Sequence, residues 1–275
     1  MSTENVENTE AHATTEHSGP HIPATMGSAV PGLPYPITTT VVSTWIVMLA
    51  LFSVAAVLNR SLKKESSKFK SFGLDVVARL DAFFTGTVGN KENARKFFWL
   101  LGTFFVFIFF ANLVGLLLDW TILVAPAAAE YIRPVNSDLN TTLVMGLTAV
   151  LVAQATGIYT KGFKGHFGHY LFNFSGHSPA EKVVNVFVGW LHFVGEFVRV
   201  GSLSMRLFLN IFVGAILISV AVYVGSLIPS GGTGAFRFIV LPFWFFELLV
   251  AFLQAYIFAT LSGLYLREAT EHASH

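Results

Sequence analysis

A guanidinium and an amide stand four residues apart, at Arg206 and Asn210, inside the otherwise apolar stretch SLSMRLFLNIFVG from Ser202 to Gly214. On insertion scales an Arg near the centre of a membrane helix costs about 2.5 to 3.5 kcal/mol, so its presence there calls for a functional reason. Arg cannot relay a proton, because its guanidinium stays charged at any accessible pH, but it can attract a carboxylate and release it again. The chemistry open to Arg206 is therefore that of a fixed positive barrier. The plainer alternative is an arginine that snorkels to an interface or pairs with a carboxylate to hold helices together.

The neighbours of Arg206 extend this pattern. His192, Glu196, Arg199, Ser202, Arg206 and Asn210 follow one another at steps of three and four residues, which places them on one face of a helix. On a later apolar segment Glu247 and Gln254 lie seven apart, with Ser262 two turns further on, so a second polar line is expected to face the first. Polar groups are tolerated in hydrocarbon when they pair or line water, and titratable groups approaching a fixed cation from both sides describe an ion path interrupted by a charge. Interhelical hydrogen bonds among Asn210, Glu247 and Gln254 could instead simply hold a bundle together, at about 0.6 to 2 kcal/mol each. That alternative leaves Arg199 and Arg206 without a purpose. Since Arg206 has no carboxylate near it on its own helix, the acid it would pair with is expected on another subunit, with the small residues Gly201, Ser202 and Ser204 allowing a neighbouring helix close.

The elements that must carry these residues are helices in a membrane. Of the 275 residues 53% are hydrophobic, 28 are Phe and only 12% are charged, which lies outside the soluble globular range. A net charge of +1 and the lack of basic runs interleaved with aromatics argue against nucleic acid as a partner. The absence of Cys removes disulfides, thiolate chemistry and Cys-held metals, and no cofactor or metal site is expected. Residues 1–37 read as a polar extramembrane tail without the basic start and apolar core of a secretory signal, residues 38–267 as the membrane domain, and residues 268–275 as a polar tail.

Within the membrane domain, Thr39 to Leu58 is uncharged and long enough to cross roughly 30 Å of hydrocarbon. Phe72, Val76, Val77, Leu80, Phe83 and Phe84 share one face of an amphipathic helix expected to lie on the membrane surface. Further spans are predicted over Phe97–Leu118, Asn140–Tyr159 and Phe236–Leu266, with Asp138 capping the third span and a loop over 119–138. The segment KGFKGHFGHYLFNFSGHSP, with His166, His169 and His177, reads as a basic interfacial loop. Between it and the PSGGTG loop runs Val183–Ile228, whose 46 residues would make a helix roughly 69 Å long, about twice the membrane thickness. It is either a hairpin bent near Gly201 or one steeply tilted helix. A single crossing makes five spans and puts 13 of the 17 Lys and Arg residues on one side, a positive-inside pattern with the C-terminus on the cytoplasmic face.

With these residues in place, SLSMRLFLNIFVG resembles the signature of subunit a of the F-type ATP synthase. FFVFIFFANLVGLLLDW, SDLNTTL and LQAYIFATLSGLYL resemble three further segments of that family, so that the likeness covers most of the chain from about residue 90 onward, the first 90 residues matching in layout only. The resemblance implies an all-α integral membrane protein of about five spans plus a surface helix, with one long tilted helix against a ring of c subunits and b subunits of a peripheral stalk as partners. It implies that Arg206 is the stator arginine that separates two half-channels and pairs with the rotor carboxylate. It places Asn210, Gln254, Glu247 and Asp138 on one ion path, and Ser202, Arg199, Glu196 and His192 on the other. The chain departs from the family at His192, usually Glu, at Val200, commonly Pro, and at Ala215, where many members carry an acid or His whose work Glu247 would take over. The expected setting is a bacterial inner membrane or an organellar energy-transducing membrane. A secondary transporter with a midplane ion site is the alternative, although no internal repeat of the kind such folds show is present.

Overall fold

A computed structural model describes residues 38–62, 68–124, 133–171, 178–226 and 233–271. These form six α-helices: α1 (Thr39–Leu62), α2 (Lys68–Val88), α3 (Lys91–Val124), α4 (Leu139–Leu171), α5 (Pro179–Ser226) and α6 (Thr233–Glu271), with a short 3-10 turn at Val135–Ser137 before α4. Five of them are long and apolar enough to cross a membrane, α2 being the exception, and no strand occurs among the described residues. The chain is an all-α integral membrane protein.

The long element is one continuous helix. α5 runs 48 residues without a break, about 72 Å at 1.5 Å per residue, so the hairpin near Gly201 does not form. α3 also outruns its predicted end, staying helical to Val124 where a loop was expected from residue 119. The predicted basic loop after the third span is likewise helical as far as Leu171, broken only at Gly162, whose φ of 73° is open to glycine at little steric cost. His177 falls outside the described residues.

Lipid tails are as apolar as Leu, so these helices are held by close packing and shape rather than by hydrophobic burial. The core joins Phe84 and Val88 of α2, Leu101 and Ile108 of α3, Ala149 and Ala153 of α4, Leu203 and Leu207 of α5, and Ala255, Phe258 and Ala259 of α6. α3 and α6 lie antiparallel, with Phe104 edge-on to Phe258 at 5.2 Å and Phe105 edge-on to Phe252 at 6.1 Å. Such ring pairs contribute about 0.5 to 1.5 kcal/mol each beyond burial. Small residues mark the closest crossings: a Cβ on Gly263 would come within 2.9 Å of Thr87 Cγ2, and one on Gly146 within 3.1 Å of the Val200 carbonyl and closer still to Ser204 Oγ.

The surface-helix expectation for α2 holds for only half of it. Phe72, Val76 and Val77 are exposed as an interfacial helix requires, whereas Phe84 is fully buried and Phe83 stacks on Tyr256 of α6 at 4.8 Å. The C-terminal half of α2 is therefore built into the bundle, because its apolar face meets α3 and α6 there. Gly89, at φ 80°, ends the helix, and Asn90 caps α3 by accepting the Glu92 N–H at 2.9 Å.

Candidate functional site

α5 presents two faces. Leu203, Ser204, Leu207 and Phe208 are buried against the bundle, whereas Ser202, Met205, Arg206 and Leu209 are exposed. Arg206 thus points away from its own chain and lies among apolar neighbours. Among the described residues it makes no hydrogen bond and no ion pair within the chain. Of the small residues expected to admit a partner helix, Ser204 instead meets Gly146 of α4, while Gly201 faces open space and Ser202 stays exposed.

The two polar lines meet at two places rather than along their length. Towards the C-terminal end of α5, Asn210 and Glu247 line a cavity of about 50 Å³ together with Val213, Gly214, Leu217 and Phe246. That volume is large enough for a water molecule. Glu247 is only 7% exposed, and its carboxyl seats directly over Gly214, where a Cβ would fall 2.7 Å from its Cδ. Gly214 is thus the opening that lets a carboxyl enter the α5–α6 seam.

Towards the other end, Arg199 binds Glu196 at 2.9 Å and Glu268 of α6 at 2.8 Å, and its Cζ sits 4.9 Å above the Tyr265 ring. α6 is helical to Glu271, so Glu268 lies on the helix. His192 is exposed one turn before Glu196. Gln254 and Ser262 are buried, but the Ser262 hydroxyl donates back to the Phe258 carbonyl at 2.8 Å, so this part of the second line does not open towards Arg206.

Asp138 sits apart from both meeting places. Its carboxylate accepts the Thr40 hydroxyl at 2.9 Å and caps α4 through the Asn140 N–H at 2.9 Å, in the position predicted for it. The Arg133 N–H donates to Ser43 Oγ at 3.2 Å nearby, so α1 is fastened to the start of α4 by polar contacts. Asn136, in the turn before Asp138, donates its amide to Asn112 Oδ1 at 2.5 Å, and Asn112 donates to the Ala251 carbonyl at 3.5 Å. Asn112 and Asn136 are each 1% exposed, and Ala251 lies one turn from Glu247. Sequence reasoning passed over Asn112, Asn136, Gly214, Tyr265 and Glu268 as functional residues. Asn112 and Gly214 lie within segments whose pattern stands out, whereas Glu268 follows the last apolar residues and reads as tail.

Fold and site together define a multi-pass membrane protein whose titratable groups converge where two antiparallel helices meet and whose Arg206, on a membrane-spanning helix, is exposed. The chain belongs to the ATP synthase A chain family, whose model matches residues 41–267. It is 31% identical over 230 residues to ATP synthase subunit a of Desulfotalea psychrophila, covering 84% of this chain and 83% of the relative. It is 29% identical over 244 residues to ATP synthase subunit a 1 of Hahella chejuensis, covering 88% of each.

Proposed function

We propose that this chain is the stator subunit of a rotary ATP synthase membrane sector, carrying protons to and from carboxylates on a rotating ring of c subunits through two offset half-channels. The observation that carries the reading is Arg206, exposed on an apolar face of α5 without an ion pair among the described residues. A cation so placed offsets its membrane cost by meeting an acid that arrives from outside the chain. Protons enter past Glu247 and Asn210 through the seam cavity, with Gln254 and Asp138 on the same side, and neutralise the rotor carboxylate. After the ring turns they leave past Ser202, Arg199, Glu196 and His192. Arg206 holds the two paths apart and draws the proton off by pairing with the returning carboxylate. Each charge carries about 2.3 kcal/mol per 100 mV of membrane potential, and a leak past the barrier would dissipate it.

In this reading b subunits of the peripheral stalk hold the chain against the ring. The bias of Lys and Arg supports a C-terminus on the cytoplasmic side of the membrane in this reading. The test is Arg206→Ala in the assembled complex in inverted membrane vesicles. ATP synthesis and ATP-driven proton pumping are both expected to fall to background, and near-normal coupled transport would overturn the assignment. Glu247→Gln is expected to slow proton access without uncoupling, and a rate unchanged across pH would count against its role.

A further inference from the structure

Arg199 is held by two carboxylates from two helices, and that arrangement contains one more acid than the cation can neutralise. Glu196 lies three residues before it on α5, and Glu268 reaches it from α6; one planar guanidinium binds both, through Nη1 and Nη2 respectively. The groups facing this cluster are Tyr265 beneath Arg199, with Arg206 also within electrostatic reach of the Tyr265 phenol. Within the set bonded to Arg199, one positive charge against two negative ones leaves a single negative charge over, and a proton placed on one carboxylate leaves the other ion pair intact. Exposure sets the direction: the Glu196 side chain is 16% exposed and that of Glu268 is 40% exposed.

We propose that Glu268 is the outermost proton-bearing residue of the exit path, receiving protons from Glu196 and delivering them to water at the end of α6. The O–H bond of Glu196 breaks as one forms on Glu268, and the Glu268 carboxyl then loses its proton to the aqueous phase. Arg199 takes no proton; it is a positioning residue that keeps both acids on one guanidinium. This inference rests on the stator reading and adds to it a residue beyond the polar stripe of α5.

The test is passive proton flux through the membrane sector of vesicles stripped of the catalytic head, normalised to the amount of this chain in the membrane. Glu268→Gln keeps an oxygen for Arg199 but carries no proton. Flux is expected to fall several-fold, short of the roughly hundredfold that complete loss of a proton-transfer group costs, since Glu196 remains. Glu268→Asp is expected to recover most of the flux, and formate is expected to restore it in Glu268→Ala, which a purely structural clasp would not show. Parental flux in Glu268→Gln, or losses in Glu268→Ala that formate leaves unchanged, would overturn the proposal. Arg206→Ala, assayed for ATP-driven pumping in vesicles that keep the catalytic head, separates the two readings: if it leaves coupled transport intact the stator reading fails, whereas its expected failure beside a normal flux in Glu268→Gln removes only the role of Glu268.

Discussion

Adding one methyl group at Gly214 tests how closely the α5–α6 seam is fitted to a carboxyl. An alanine Cβ there would stand 2.7 Å from Glu247 Cδ, against 3.4 Å for ordinary contact, so the side chain must retreat by about 0.7 Å, and its nearer oxygen by more. The adjoining cavity of about 50 Å³ gives it somewhere to go, which keeps the overpacking cost near the lower end of the usual 1 to 3 kcal/mol. The chain is therefore expected to reach the membrane in normal amounts. Function should suffer more, because displacing a reacting group by about 1 Å can cost on the order of a hundredfold in rate. In inverted vesicles Gly214→Ala is expected to lose at least tenfold in ATP-driven proton pumping, and the double variant with Glu247→Asp, shorter by one methylene, to regain much of it. A Gly214→Ala protein that accumulates and pumps like the parent refutes the reasoning, since Glu247 would then not be needed where it now sits.

The other crossings give contrasting outcomes. Gly146→Ala drives a Cβ into Ser204 Oγ and towards the Val200 carbonyl, where backbone cannot yield, so a loss of about 1 to 3 kcal/mol in stability is expected, read as lower resistance to heat in detergent. Gly201→Ala meets nothing within 4 Å among the described residues and is expected to leave that thermal stability unchanged. Asp138→Ala takes one of the two partners from the Thr40 hydroxyl, leaving it Thr38, and uncaps α4, at about 0.5 to 2 kcal/mol for the cap alone, and limited proteolysis is then expected to cut sooner at the α1 end.

The five spans were legible in the sequence because length and hydropathy suffice to define a crossing, and the face of α5 that bears Arg206 was legible because its residues recur at helical spacing. What spacing cannot give is the partner of a face. Ser202 and Arg206 share a stripe with Asn210, yet only Asn210 turns far enough to share a cavity with Glu247, because the antiparallel helices meet at separate points. Gly214 has no side chain to mark it, and its meaning comes entirely from the acid across the seam. Phe83 and Phe84 of α2 carry the same apolar signal as Phe72, and contact with α3 and α6 alone decides which of them leave the interface.

The outward-facing guanidinium of Arg206 also bears on how long the chain survives before it is assembled. A copy inserted alone holds that charge with no ion pair among the described residues, a penalty of about 3 kcal/mol that corresponds to a roughly hundredfold shift away from the fully inserted state. On the stator reading proposed above, the same arginine that would bar a leak in the working motor also marks an orphan subunit as unstable, and the chain's lifetime in the membrane is then tied to the arrival of a partner bearing an acid.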